Sequence, residues 1–173
     1  PDAKPWPSVW PYARRAGLFG LGFLALALAF VPAAWPARSM LFLIPTVAMM
    51  AGGLSWMGRV RREAPSHMRL DRYLRGWTGI CLFTALLAAI WIIVWHVRFR
   101  PELLQAWLTN VEEGLEAQGY SPGDADEALH RIRVTLTGPL GVFIGTVLWT
   151  VTGLVPGLVF SVLQLRELTG QNR

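Results

Sequence analysis

Four stretches of this chain, residues 16–35, 39–58, 76–96 and 138–165, contain no aspartate, glutamate, lysine or arginine. The hydrocarbon core of a bilayer is roughly 30 Å thick and takes about 20 helical residues to cross. Each stretch reaches that length. One such run suits the buried helix of a soluble domain, but four of them in 173 residues would demand an implausibly large dry core. The sequence therefore predicts an all-α integral membrane protein with four transmembrane helices. Charged residues make up 16% of the chain, whereas soluble domains carry about 25%, and the deficit lies in these stretches.

Tryptophans mark the ends of the runs. Trp35, Trp56, Trp77 and Trp95 stand where amphipathic rings settle at the lipid headgroups. Trp91 and Trp149 lie inside their runs and read as packing or lipid-facing residues.

The cations set the orientation. Lys4, Arg14 and Arg15 precede the first run, and Arg38 alone separates the first two. Arg59, Arg61, Arg62, Arg69, Arg72 and Arg75 fill the second link. Arg98, Arg100, Arg131 and Arg133 share the third connection with seven carboxylates, and Arg166 and Arg173 follow the last run. Counted by alternate sides, the cations number eleven against five. The positive-inside bias then places both termini in the cytoplasm of a bacterial inner-membrane protein. The expected organisation has four parts. Residues 1–15 form a proline- and tryptophan-rich lead at the cytoplasmic face. Residues 16–96 hold three spans with the Arg-rich cytoplasmic link 59–75. Residues 97–137 form an acidic helical hairpin outside, and residues 138–173 the fourth span and a cytoplasmic tail.

This distribution excludes several classes. The net charge of +5 comes from arginines at the edges of apolar runs, so it reads as topology and not as a nucleic-acid surface. Cys81 is the only cysteine, which rules out an internal disulfide and a cysteine-type zinc site, and inside an apolar run it reads as a small packing residue. Residues 1–11 lack the apolar core of a cleavable signal peptide.

In the outer connection, Pro101 and Glu102 suit the first turn of a helix. Leu103, Trp107, Val111 and Leu115, with Leu104 and Leu108 beside them, form one apolar stripe, while Glu112, Glu113 and Glu116 lie on or near the other side. Gly119 is a stop signal. Ser121 caps a second helix, with Pro122 at its first position and Asp124 three residues after the cap. Ala125, Leu129, Ile132 and Leu136 supply its apolar side before Gly138-Pro139 breaks the chain. The two stripes most simply pack on each other or on the membrane surface, and docking a partner is the alternative.

Candidate chemistry is sparse. Asp124, Asp126 and Glu127 occupy a helix's first turn, where the dipole accounts for them, and lack the alternate spacing of a calcium loop. His67, His96 and His130 contain no pair at i,i+4 spacing. His96 is the one candidate cofactor ligand, at the end of the third run. Transporters and pumps usually hold ionisable groups within the membrane. Here the runs offer uncharged polar groups, among them Ser55, Thr78, Thr84, Thr146, Thr150, Thr152 and Gln164, with Pro45 and Pro156 as kinks. No nucleophile motif or glycine-rich phosphate loop occurs, so the chain reads as a non-enzyme needing no metal or cofactor. One pattern has physical content. Gly141, Gly145, Gly153, Gly157 and Ser161 share a stride of four in the last run, interrupted by Trp149. Small residues at that stride let another helix approach closely, either within the bundle or from another subunit. Gly17, Gly20 and Gly22 form a shorter set in the first run.

The order of these features over residues 14–168 resembles an uncharacterised bacterial family of four-helix membrane proteins, domain of unknown function 4199. The likeness is strongest in Glu112-Glu113, Gln118-Gly119-Tyr120-Ser121-Pro122, Glu127 and Gly138-Pro139. Ahead of the third run the family's glycine-rich stretch is replaced by Met68-Arg69-Leu70-Asp71-Arg72-Tyr73-Leu74-Arg75-Gly76. The resemblance implies the architecture and brings no activity, cofactor or catalytic residue. The expected function is that of a non-enzymatic accessory subunit of a larger membrane protein complex, docked through small-residue helix faces and the outer hairpin, in contact with lipid and other subunits. A small passive channel or transporter is the alternative, and a haem- or pigment-binding subunit using His96 a further one.

Overall fold

The computed structural model describes residues 8–30, 43–63 and 70–171, and every regular element among them is helical. Helix α1 spans Trp10–Phe30, α2 Leu43–Glu63 and α3 Leu70–Val94. A five-residue π-helical segment, Trp95–Phe99, continues α3. Helices α4 (Pro101–Ala117), α5 (Pro122–Thr137) and α6 (Pro139–Gln171) follow. Two of these elements are long and apolar enough to cross a membrane: Leu70–Phe99, 30 residues, and Pro139–Leu163, 25 residues. The first and second predicted runs extend into residues 31–35 and 39–42, which lie outside the described residues, as do Trp35, Arg38 and His67.

The helices overrun the predicted boundaries toward charge. Helix α1 begins at Trp10 and takes in Arg14 and Arg15, so part of the expected lead is helical. Helix α2 continues past Gly58 to Glu63, and α3 starts at Leu70, so much of the 59–75 link is helix. Charged residues interrupt hydropathy but not helical propensity, since arginine is a good helix former. The boundary of a run is therefore not the boundary of its helix.

The chain divides into two compact units. The first, residues 1–88 and 146–173, is a bundle of α1, α2, most of α3 and most of α6. Close approach of small residues sets its seams. A methyl group added to Gly52 of α2 would lie 2.7 Å from Ala16 Cβ of α1, and one on Gly20 would lie 3.1 Å from Ala48 Cβ. Ala16 and Gly20 thus meet Gly52 and Ala48 in antiparallel order, a small-residue step of four on each helix. Gly17 of α1 lies against Phe83 and Leu87 of α3, and Trp10 meets Phe83 edge-on at 4.9 Å.

At the centre of this unit, α2 and α3 trade tryptophans for glycines. Trp77 of α3 lies on Gly53 of α2, and Trp56 of α2 lies on Gly76 of α3. Neither ring is exposed: Trp56 is 1% and Trp77 0% accessible. Both positions were expected at the headgroups, and the structure corrects that. A ring at the end of an apolar run reads the same in sequence whether it meets lipid headgroups or a neighbouring helix. Here a glycine on the facing helix opens the space it fills.

The second unit, residues 89–145, holds the end of α3, the π segment, α4, α5 and the start of α6. Helix α4 packs on α5 and on the π segment. Leu108 and Ala125 are the buried residues of the two helices, while Leu103, Trp107, Val111, Leu115, Leu129 and Ile132 are half-buried along the predicted stripes. Local chemistry fixes the ends. Gly119 takes the left-handed conformation at φ 88°, and the Tyr120 amide donates back to Leu115. Ser121 Oγ accepts the Asp124 amide at 3.3 Å and donates to its carboxylate at 2.6 Å. Gly138 is extended, φ −95° and ψ −173°, and separates α5 from α6.

Candidate functional site

The small-residue strip of α6 is turned largely toward the chain's own interior. Gly153 faces α2 and α3: an added methyl would lie 2.6 Å from Met49 Sδ and 2.9 Å from Cys81 Sγ. Gly157 lies against the indole of Trp77, and Ser161 is fully buried with its hydroxyl donated to the Gly157 carbonyl at 2.7 Å. The Trp77 ring is therefore held between Gly53 of α2 and Gly157 of α6. Its Nε1–H donates to the Gly153 carbonyl at 2.9 Å, and Phe160 lies 6.5 Å away. Pro156 carries no amide hydrogen, so α6 gives up one ladder bond in this turn. Trp77 brings a donor from another helix into the same turn.

Gly141 belongs to the second unit and serves a different purpose. An added methyl would collide with the carbonyl oxygens of Leu136 and Thr135, so Gly141 permits the tight passage from α5 into α6. Gly145 is half-buried. The five predicted positions thus do not form one surface. Three fill the interior of the first unit, and Gly141 shapes a turn of the second.

Three of the hydroxyls that would line a hydrated path turn onto their own helices. Ser55 donates to the Ala51 carbonyl at 2.7 Å, Thr78 to Leu74 at 2.7 Å and Thr152 to Trp149 at 2.9 Å. Each bond uses the hydroxyl's one donor within a turn of its own helix and leaves its oxygen as an acceptor. Thr84 Oγ1 and Thr150 Oγ1 are buried and have no hydrogen-bond partner among the described residues. The Gln164 side chain lies outside the described residues.

His96 sits on the π segment. Its Nδ1 lies 2.8 Å from the Ile92 carbonyl, which only accepts, so Nδ1 carries the hydrogen. Nε2 is then the ring nitrogen left to other partners, the tautomer seen in metal-ligating histidines. A single imidazole is one ligand, and among the described residues no three His, Cys, Asp or Glu side chains gather as a metal site. In the same stretch of chain Trp91, Trp95 and Phe99 stack obliquely on one another, with centroids 5.5 to 6.2 Å apart. The indole nitrogens of Trp91 and Trp95 are buried with no acceptor among the described residues. Asp124 is engaged by the Ser121 cap, and Glu127 pairs with Arg131 one turn on. His130 is exposed on α5.

Sequence reasoning missed the Trp77 contact set. Its signal was present as Gly52-Gly53 one turn before Trp56, Gly76 directly before Trp77, and Gly153 and Gly157 in the last run. Large and smallest residues alternate in adjacent apolar segments where one helix accepts a ring from the next. Compared with known protein families, with curated proteins and with solved structures, the chain matches none.

Proposed function

We propose that the chain is a four-span protein of a bacterial inner membrane, with both termini cytoplasmic, that serves as a non-enzymatic accessory subunit of a larger membrane protein complex. The observation that carries this reading is the interior of the first unit. It is closed by tryptophan rings seated on glycines, and among the described residues it buries no Asp, Glu, Lys, Arg or His side chain. Proton and ion carriers use such groups within the membrane. A chain without them has its surfaces to offer.

The four-span reading draws support from the ends of the helices. The antiparallel pairing of α1 with α2, together with the Tyr12–Arg59 hydrogen bond at 3.4 Å and the Trp56–Tyr73 ring contact at 6.0 Å, brings the start of α1, the end of α2 and the start of α3 to one end. Arg14, Arg15, Arg59, Arg61, Arg62, Arg72 and Arg75 belong to these segments. The apolar residues facing outward, among them Phe19 at 67% exposure and Phe143 at 64%, suit lipid as solvent. Because Gly153, Gly157 and Ser161 are occupied internally, the docking surface in this reading is the outer hairpin of residues 97–137, not the small-residue strip.

Purification of the full chain in a mild detergent, followed by cross-linking, tests the subunit role. Other polypeptides are expected at fixed ratio, with cross-links to residues 97–137. Recovery as a free monomer overturns it. Topology is read separately by labelling Glu113→Cys and Arg62→Cys variants in a Cys81→Ser background, where opposite sides are expected.

A further inference from the structure

The seam between α1 and α2 is tight at Ala16–Gly52 and Gly20–Ala48, and larger side chains flank it on the outside. The result is a groove of about 540 Å³, within the roughly 300–1,000 Å³ of small-molecule sites. Its walls are Phe19 and Phe23 of α1 and Leu43 and Val47 of α2, all of them exposed. One end differs in chemistry from the rest. Tyr12 and Arg15 line it, and Arg15 forms no ion pair among the described residues. Arg59 reaches the same end through its bond to Tyr12. The groove is thus an apolar trough closed by cationic and phenolic donors.

That shape and polarity match an amphiphile with an apolar tail and an anionic head. We propose that the α1–α2 groove holds one acyl chain of an anionic glycerophospholipid, with the lipid phosphate against Arg15. The inference rests on the membrane reading above, and under that reading Arg15 lies on the cytoplasmic side. A guanidinium presents a planar fork of donors that fits two phosphate oxygens, and such charge-assisted bonds are the stronger kind. The walls supply dispersion contacts along the tail. The tight seam beneath leaves no room for the tail to pass between the helices, so the lipid lies along the surface of the pair.

The test uses the full chain, purified in detergent and stripped of lipid, with binding of phosphatidylglycerol and phosphatidylcholine followed by native mass spectrometry. One phosphatidylglycerol is expected, bound about tenfold more tightly than phosphatidylcholine, whose choline cation offsets the phosphate charge presented to Arg15; tenfold corresponds to about 1.4 kcal/mol. Arg15→Gln is expected to erase that preference, and Arg15→Lys to restore most of it. Val47→Trp, at a position 62% exposed and away from the interior, is expected to block both lipids by filling the trough. Circular dichroism of each variant separates lost binding from lost fold. The proposal is overturned if Arg15→Gln keeps the preference, if the wild-type chain binds neither lipid, or if glycerol phosphate competes as well as the whole lipid. Insertion into vesicles is measured alongside. A chain that inserts without any preference defeats the groove alone, whereas one that stays in water without detergent defeats the membrane reading.

Discussion

The two units of this chain are held together by different chemistry. In the bundle of residues 1–88 and 146–173, the decisive contacts are rings on glycines: Trp77 on Gly53 and Gly157, Trp56 on Gly76. In residues 89–145 they are helix caps and amphipathic stripes: Ser121 on Asp124, Gly119 in its left-handed turn, Leu108 and Ala125 facing inward. The outward faces differ as well. The bundle shows Phe19, Phe23 and Leu148, whereas α4 and α5 show Glu112, Glu113, Glu116 and Asp126. Where lipid is the solvent, an apolar side chain gains little from burial, and specificity must come from fit. Where water is the solvent, an apolar stripe suffices to drive association.

The contrast is tested first at its strongest point. Trp77→Ala removes a buried ring from between two helices and its bond to Gly153, and should cost about 3–5 kcal/mol, measured as a fall in detergent unfolding temperature. Gly53→Ala and Gly157→Ala drive a methyl into the same ring and should each cost about 1–3 kcal/mol. Gly22→Ala in α1 and Gly114→Ala in α4 meet nothing within 4 Å, so each should stabilise by roughly 0.5–1 kcal/mol. A loss at Gly22 would show that glycine in the bundle serves something other than ring seating. In the second unit, Ser121→Ala should cost about 1 kcal/mol, seen as faster proteolysis near Tyr120. The smallest effect belongs to the Glu127–Arg131 pair on exposed α5: Glu127→Gln should change stability by less than about 0.5 kcal/mol, and salt should abolish even that.

What was legible in the sequence was local. Pro101 and Pro122 at helix starts, the Ser121 cap and the Gly119 stop are all realised, because each depends on residues within one turn. The long apolar spans Leu70–Phe99 and Pro139–Leu163 were legible for the same reason. The setting of Trp56 and Trp77 was not, since it depends on Gly76 and Gly53 of a different helix. The stride-four strip of α6 was visible, but its division between a buried seam and the turn at Gly141 depends on what lies opposite. The π segment at Trp95–Phe99 was not legible, because hydropathy and residue spacing do not distinguish i→i+5 from i→i+4 bonding within a single turn.

The exchange between α2 and α3 has a mechanical consequence. Each helix carries both a peg and a socket, so a slide of one residue in either direction would set an indole against a side chain bearing Cβ. Rotation is barred likewise, because both pegs would leave their sockets together. Sliding or turning one of these helices against the other therefore has to unseat both rings at once, so the two contacts resist such motion together.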